Sequence, residues 1–219
     1  MKKILWIVVV MCCAAPSFAQ LEQGQHMFSL RGGLGFQLQN SGIVYNSSGS
    51  RTDWGTLGAE LGLSYYYLVT DHFGIGTDFS YGDYEGADIT WSATNTIDDG
   101  VHMLNLMLSA RYTLNPSDRV RLYVPFGIGC VAAEQKLDMN YYGTVYSAKQ
   151  TQTKLGYFAG LGLEFDLGHE GWSLGLESRY NAFRFDSNSF VRYAPAPVHG
   201  TGKRLYEYLT FSLSIKKRY

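Results

Sequence analysis

The sequence predicts an all-β protein, a closed antiparallel up-and-down transmembrane β-barrel of about eight strands. Three observations predict it. Apolar residues alternate with small or polar ones along almost the whole chain, with no 3.6-residue apolar stripe. The segments between these runs are long and short in turn. The face opposite the apolar one carries too many ions for the core of a soluble fold.

Residues 1–19 precede the fold. Lys2 and Lys3 make a basic start, residues 4–15 an apolar stretch, and Ser17, Phe18 and Ala19 a small-x-small site. Together they read as an export signal cleaved before Gln20. The apolar stretch is too short for a retained anchor. Cys12 and Cys13 follow Met11 and Cys12, not the small residue of a lipidation site. Residues 20–219 form one domain, long enough to close a barrel.

Of 18 basic residues two lie in the leader, which leaves 16 against 19 acidic ones in the exported chain. No basic face is clustered, which argues against a nucleic-acid partner. Cys130 is the only cysteine after the leader, so no disulfide can form within the exported chain. It reads as a small apolar strand residue. The 25 Gly, 17 Tyr and 12 Phe, with only 17% charged residues, favour strands and crowded interiors.

Eight runs follow in order. Phe28, Leu30, Leu34 and Phe36 oppose Ser29, Arg31, Gly33 and Gly35. Leu57, Leu61, Leu63, Tyr65 and Tyr67 oppose Gly58, Glu60, Gly62 and Ser64. After a tight link at 69–72, Phe73, Ile75, Phe79 and Tyr81 oppose Gly74, Gly76, Asp78 and Ser80. A polar loop is expected over 83–100. Leu104, Leu106, Leu108 and Tyr112 then oppose Asn105, Met107, Ser109 and Arg111, and Asn115-Pro116-Ser117-Asp118 turns the chain. Leu122, Val124, Phe126 and Ile128 oppose Tyr123, Pro125, Gly127 and Gly129. Pro125 donates no ladder hydrogen bond, so a local bulge or bend is expected. Another loop is expected over 137–152. Leu155, Tyr157, Leu161 and Leu163 oppose Gly156, Gly160, Glu164 and Asp166. After a turn at 168–171, Trp172, Leu174 and Leu176 oppose Ser173, Glu177 and Arg179. A loop over 187–203 leads to the last run, Leu209, Phe211, Leu213 and Ile215 against Tyr208, Thr210, Ser212 and Ser214. Glu207 interrupts its apolar side, as expected near a membrane rim.

With the apolar face turned to lipid, Arg31, Glu60, Asp78, Arg111, Glu164, Asp166, Glu177 and Arg179 all face the lumen. Eight strands leave an interior just wide enough for side chains. The three arginines can therefore partner the five acids and plug the barrel. Tyr65, Tyr67, Phe73, Tyr112, Trp172 and Tyr219 fall nearest the short turns, as an aromatic girdle at the inner membrane interface does. Long loops outside and short turns inside are the asymmetry of a bacterial outer-membrane barrel.

Residues 25–219 thus resemble the small eight-stranded outer-membrane barrels, the OmpA/OmpX-like porin-family proteins. The strand-turn-strand-loop rhythm and the terminal segment LTFSLSIKKRY over 209–219 carry the resemblance. The segment is similar to the carboxy-terminal signal read by the barrel assembly machinery. The family most often ends in Phe, and here Tyr219 keeps the aromatic ring. The resemblance implies outer-membrane lipid and that machinery as partners, and no cofactor.

His26, His72, His102, His169 and His199 are the residues to weigh as catalytic or metal-binding groups. His102 lies near Asp98 and Asp99 at a loop-strand junction, but no histidine has a serine on the same strand face or a metal-site spacing. The expectation is a non-enzymatic structural or interaction barrel that presents polar loops, such as 46–50, to an extracellular ligand. A narrow channel for small or hydrophobic solutes is the alternative. An outer-membrane lipid-modifying enzyme comes third.

Overall fold

Period-two alternation becomes strand throughout. The structure is a computed structural model and describes residues 21–38, 44–45, 51–52, 57–85, 89–92, 95–141, 143–168, 170–186, 199–200 and 203–219. The expected leader, the 46–50 loop, His169 and most of the 187–203 loop lie outside the described residues. The strands are β1 (His26–Gln37), β2 (Val44–Tyr45), β3 (Arg51–Thr52), β4 (Leu57–Leu68), β5 (Phe73–Glu85) and β6 (Ile89–Ser92). They continue with β7 (Asn95–Thr113), β8 (Val120–Tyr141), β9 (Thr144–Asp166), β10 (Trp172–Asp186), β11 (His199–Gly200) and β12 (Lys203–Arg218).

β1, β4, β5, β7, β8, β9, β10 and β12 pair antiparallel in that order, and β12 returns to β1, so the barrel is closed with eight strands. The register fixes its shape. A path across the ladders runs Met27, Tyr66, Gly76, Ser109, Gly127, Phe158, Asn181, Tyr208 and back to β1 at Gln37, ten residues further along. That stagger corresponds to a strand tilt of about 40°. The remaining short strands lie on the loop side: β6 pairs with the start of β7, and β11, β2 and β3 form a small sheet.

The alternation sorts the side chains as expected. Leu30, Leu61, Leu108, Leu161 and Leu213 point outward and stay exposed, whereas Arg31, Glu60, Ser109, Gly162 and Ser212 on the alternate positions are buried.

Three local expectations are corrected. The 137–152 segment is strand, not loop. From Phe126 onward β8 pairs with β9 without interruption up to Tyr141 opposite Thr144, and Gly143 turns the chain with a φ of 82°. Outside lipid neither face needs to be apolar, so Lys, Gln, Thr and Ser alternate with one another and no hydrophobic period marks the strand. The 83–100 segment is likewise strand as far as Glu85, and β7 begins at Asn95. Pro125 causes no register shift. Opposite β9 the ladder lapses at Val124 and Pro125 and resumes in the same register at Phe126 and Ala159. Against β7 Pro125 keeps its place opposite Arg111.

β8 has 22 residues and β9 has 23, yet β10 covers β9 only between Gly156 and Asp166. A membrane crossing takes about 9–11 residues per strand. β7, β8 and β9 therefore rise well above the rim as a ribbon.

The outward assignment is tested at Leu108, which is 70% exposed. Leu108→Arg should destabilise the barrel in bilayers by about 2–4 kcal/mol, measured by urea titration. The conservative Leu108→Ile should leave the midpoint close to that of the parent.

Candidate functional site

The lumen is the site that the sequence singles out, and its residues gather in two ionic clusters. Nearer the loops, Asp78 on β5 receives Arg31 from β1 in a bidentate pair, with Nη1 to Oδ2 at 2.5 Å and Nη2 to Oδ1 at 2.8 Å. Arg179 Nη1 lies 2.9 Å from the same carboxylate, and Ser64 Oγ donates to it at 2.8 Å. Arg31 Nη2 also reaches Glu60 at 3.3 Å, and Arg179 Nε donates to Glu177. Planar guanidinium forks suit such shared carboxylates.

Nearer the short turns, Glu164 on β9 takes three cations. Arg111 Nη2 and Arg121 Nη1 each lie 2.7 Å from its oxygens, and Lys216 Nζ lies 3.3 Å away. Arg121 and Arg218 share Asp166, each at 2.5 Å. Tyr123 joins the two clusters. Its hydroxyl donates to Glu177 and accepts from Lys216, both at 2.8 Å. Arg111 and Lys216 both lie over its ring, each 4.0 Å from the centroid.

The barrel makes room for these groups with glycine. The Arg31 guanidinium lies over Gly62, where a Cβ would stand 2.5 Å from Cζ. Tyr123 lies flat over Gly162, where a Cβ would stand 2.1 Å from its Cζ. The registers fix both meetings, because Arg31 pairs with Gly62 and Tyr123 with Gly162.

All eight lumen residues expected from the sequence are therefore in the two clusters. Sequence reasoning missed four more members: Arg121, Tyr123, Lys216 and Arg218. The signal for the last two was present, since they continue the inward phase of Ser212 and Ser214 along β12. Arg121 continues the inward phase of Tyr123 in the same way.

Above the ions the lumen changes character. Tyr84, Tyr206, Tyr208 and Phe183 pack with ring centroids 5.1–5.8 Å apart. Asn105 Nδ2 donates to Ser80 at 3.0 Å and to Tyr208 at 3.4 Å. Below the ions, Leu21 folds back under the barrel. It is fully buried with Met27, Tyr66 and Leu68, and its N–H donates to the Pro116 carbonyl at 3.3 Å.

Outside, the expected aromatics border the short turns. Tyr65 lies 5.0 Å from Phe28, Phe28 lies 6.1 Å from Tyr219, and Tyr112 stacks on His72 at 5.8 Å. Lys217 sits over Trp172 at 5.1 Å and over Tyr219 at 5.4 Å. Tyr67 lies 5.4 Å from His26, and Phe73 caps its turn with its N–H on Thr70 Oγ1 at 3.0 Å. Towards the loops, Tyr180 donates to Glu207, the residue that interrupts the apolar side of β12.

The histidines are separate. His26 Nδ1 meets Tyr65 Oη at 2.8 Å, and His72 Nδ1 meets the Thr113 carbonyl at 2.7 Å. His102 pairs with Asp83 at 2.8 Å on the outer wall. The register sets Asp83 directly opposite it. On the ribbon, the hydrogen bond from Lys149 to Glu134, at 2.7 Å, holds that half-buried carboxyl below its usual range. Among the described residues no group of three or more His, Cys, Asp or Glu side chains could hold a metal.

A closed eight-stranded wall that is apolar outside and ionic inside defines a transmembrane barrel of the outer-membrane class. The chain belongs to the outer membrane protein beta-barrel domain family, whose model matches residues 5–214, and that membership places it in the bacterial outer membrane. Among solved structures it is similar to the outer membrane protein OprG from Pseudomonas aeruginosa, at 12% identity and a TM-score of 0.54, covering 93% of this chain and 99% of that one. A major outer membrane protein from Thermus thermophilus gives 12% identity and a TM-score of 0.50, covering 89% and 99%. These likenesses show the fold. A search of curated proteins finds no match.

Glu164 tests the network. Glu164→Gln leaves Arg111, Arg121 and Lys216 around a neutral amide, and losing one partner of a buried ion pair costs about 3–5 kcal/mol. The expected result is a matching fall in unfolding free energy in detergent or bilayer, read by urea titration. Glu134→Gln on the exposed ribbon should leave the same midpoint unmoved.

Proposed function

We propose that the protein is a non-conducting outer-membrane scaffold that holds polar loops and the β7–β9 ribbon out to an extracellular partner. The observation that carries this reading is the filled lumen. Two ion-pair clusters bridged by Tyr123 lie between a layer of packed aromatics and the Leu21 cap. Moving hydrated solute through that stack means parting buried ion pairs, each costly to break. The continuously paired ribbon supports the second half of the reading, because loops held on a scaffold are where recognition residues concentrate. Its outer surface mixes Glu134, Lys136, Lys149 and Thr151, groups suited to polar contact rather than lipid.

The same reading gives β12 a role in assembly. Its outward Leu209, Phe211, Leu213 and Ile215, with Tyr219 at the end, form the apolar edge offered to the assembly machinery before β12 meets β1.

Conductance in planar bilayers tests the scaffold. The purified protein should give no steady discrete openings at moderate voltage. Regular unitary steps would defeat the reading and favour the narrow channel. For the ribbon, replacing residues 136–149 with a two-residue Asn-Gly turn should leave the heat-modifiable migration of the folded barrel intact. Cells carrying that variant should lose any surface attachment that the full-length protein confers.

A further inference from the structure

The outer wall is not uniform. Beside β1 the lipid-facing leucines part around Gly32, the one position on the apolar side of that strand without a side chain. A groove of about 840 Å³ opens there. Leu61, Leu176 and Leu213 flank it around Gly32, and it descends past Ile215 to Val120 and Leu167 beside the short turns. Its apolar lining is exposed; Leu213, for example, is 66% exposed. Arg31 and Asp166 border the groove but are turned into the lumen, where both are ion-paired.

The lower end has a different chemistry. Arg119 closes it, with Nε on the Asp166 carbonyl at 3.4 Å. An apolar trough that ends at a guanidinium matches an amphiphile with hydrocarbon above and an anion below. Cations near a membrane surface attract anionic headgroups.

We propose that this groove is a specific site for one phospholipid of the inward-facing leaflet. An acyl chain lies over Gly32 between Leu61 and Leu213, and the phosphate rests near Arg119. The orientation follows from the short-turn end being the one that carries Arg119. The proposal is independent of whether the lumen conducts or the ribbon binds a partner.

Gly32 offers a direct test, because the only neighbour of a Cβ there within 4 Å is Leu61 Cδ2 at 3.4 Å. A side chain therefore fits, and it fills the trough rather than disturbing the barrel. Native mass spectrometry of the detergent-solubilised barrel, titrated with phosphatidylglycerol, should show one tightly held lipid above a weak background. Gly32→Leu should weaken that first binding by about tenfold, the size of losing roughly two buried methylene contacts. Arg119→Gln should weaken phosphatidylglycerol more than an uncharged diacylglycerol of the same chains. Gly32→Ala serves as the milder variant, and heat-modifiable migration confirms folding of each. Equal binding by the parent and Gly32→Leu would overturn the site, as would purely statistical multiple occupancy or a protein dimer in place of the lipid.

Discussion

The hydrocarbon of a membrane offers backbone groups no hydrogen-bond partner, and every part of this structure depends on meeting that constraint. A sheet can do so only by closing, since each unpaired N–H or C=O in lipid costs several kcal/mol. Closure through the β1–β12 pair leaves no edge within the wall. It also fixes the strand number and stagger together, and these set a bore that side chains can fill.

A narrow bore then dictates what fills it. The lumen positions could not all be apolar in a chain that must stay soluble before insertion, and they could not be isolated charges once water is excluded. The buried lumen holds Arg31, Arg111, Arg121, Arg179, Lys216 and Arg218 against Glu60, Asp78, Glu164, Asp166 and Glu177, so the charges balance to within one. Pairing alone does not make such a network a net source of stability, because desolvation opposes it. Its clearer effect is directional. Arg31 and Tyr123 need Gly62 and Gly162 in register beneath them, so a slipped strand would set a side chain where the guanidinium or the phenol must lie.

The membrane part of this arrangement was legible in the sequence because lipid imposes a strict period of two. Leu104, Leu106 and Leu108 against Asn105, Met107 and Ser109 admit only one orientation, and the charges on the second face follow from it. Partner choice was not legible. Glu164 could have paired with any arginine on paper, and only the registers bring Arg111, Arg121 and Lys216 to it. The ribbon was illegible for the opposite reason. Residues 137–152 lie beyond the length that a membrane crossing takes, so neither side of their strand has to be apolar and no hydrophobic signature marks it. Leu21 was overlooked because a lone leucine outside the alternating runs carries no period, and its burial depends on a fold-back that the Pro116 carbonyl anchors.

Where Lys216 and Arg218 sit in the chain also sets an order of events. Both belong to the final strand, yet their carboxylate partners, Glu164 and Asp166, stand on β9, with β10 between. The lower cluster therefore lacks two of its cations until β12 has docked and the seam with β1 is zipped. Sealing the wall and fastening the interior become a single concluding step. A barrel stalled short of it has both an open seam and an incomplete interior, and it is marked twice over as unfinished.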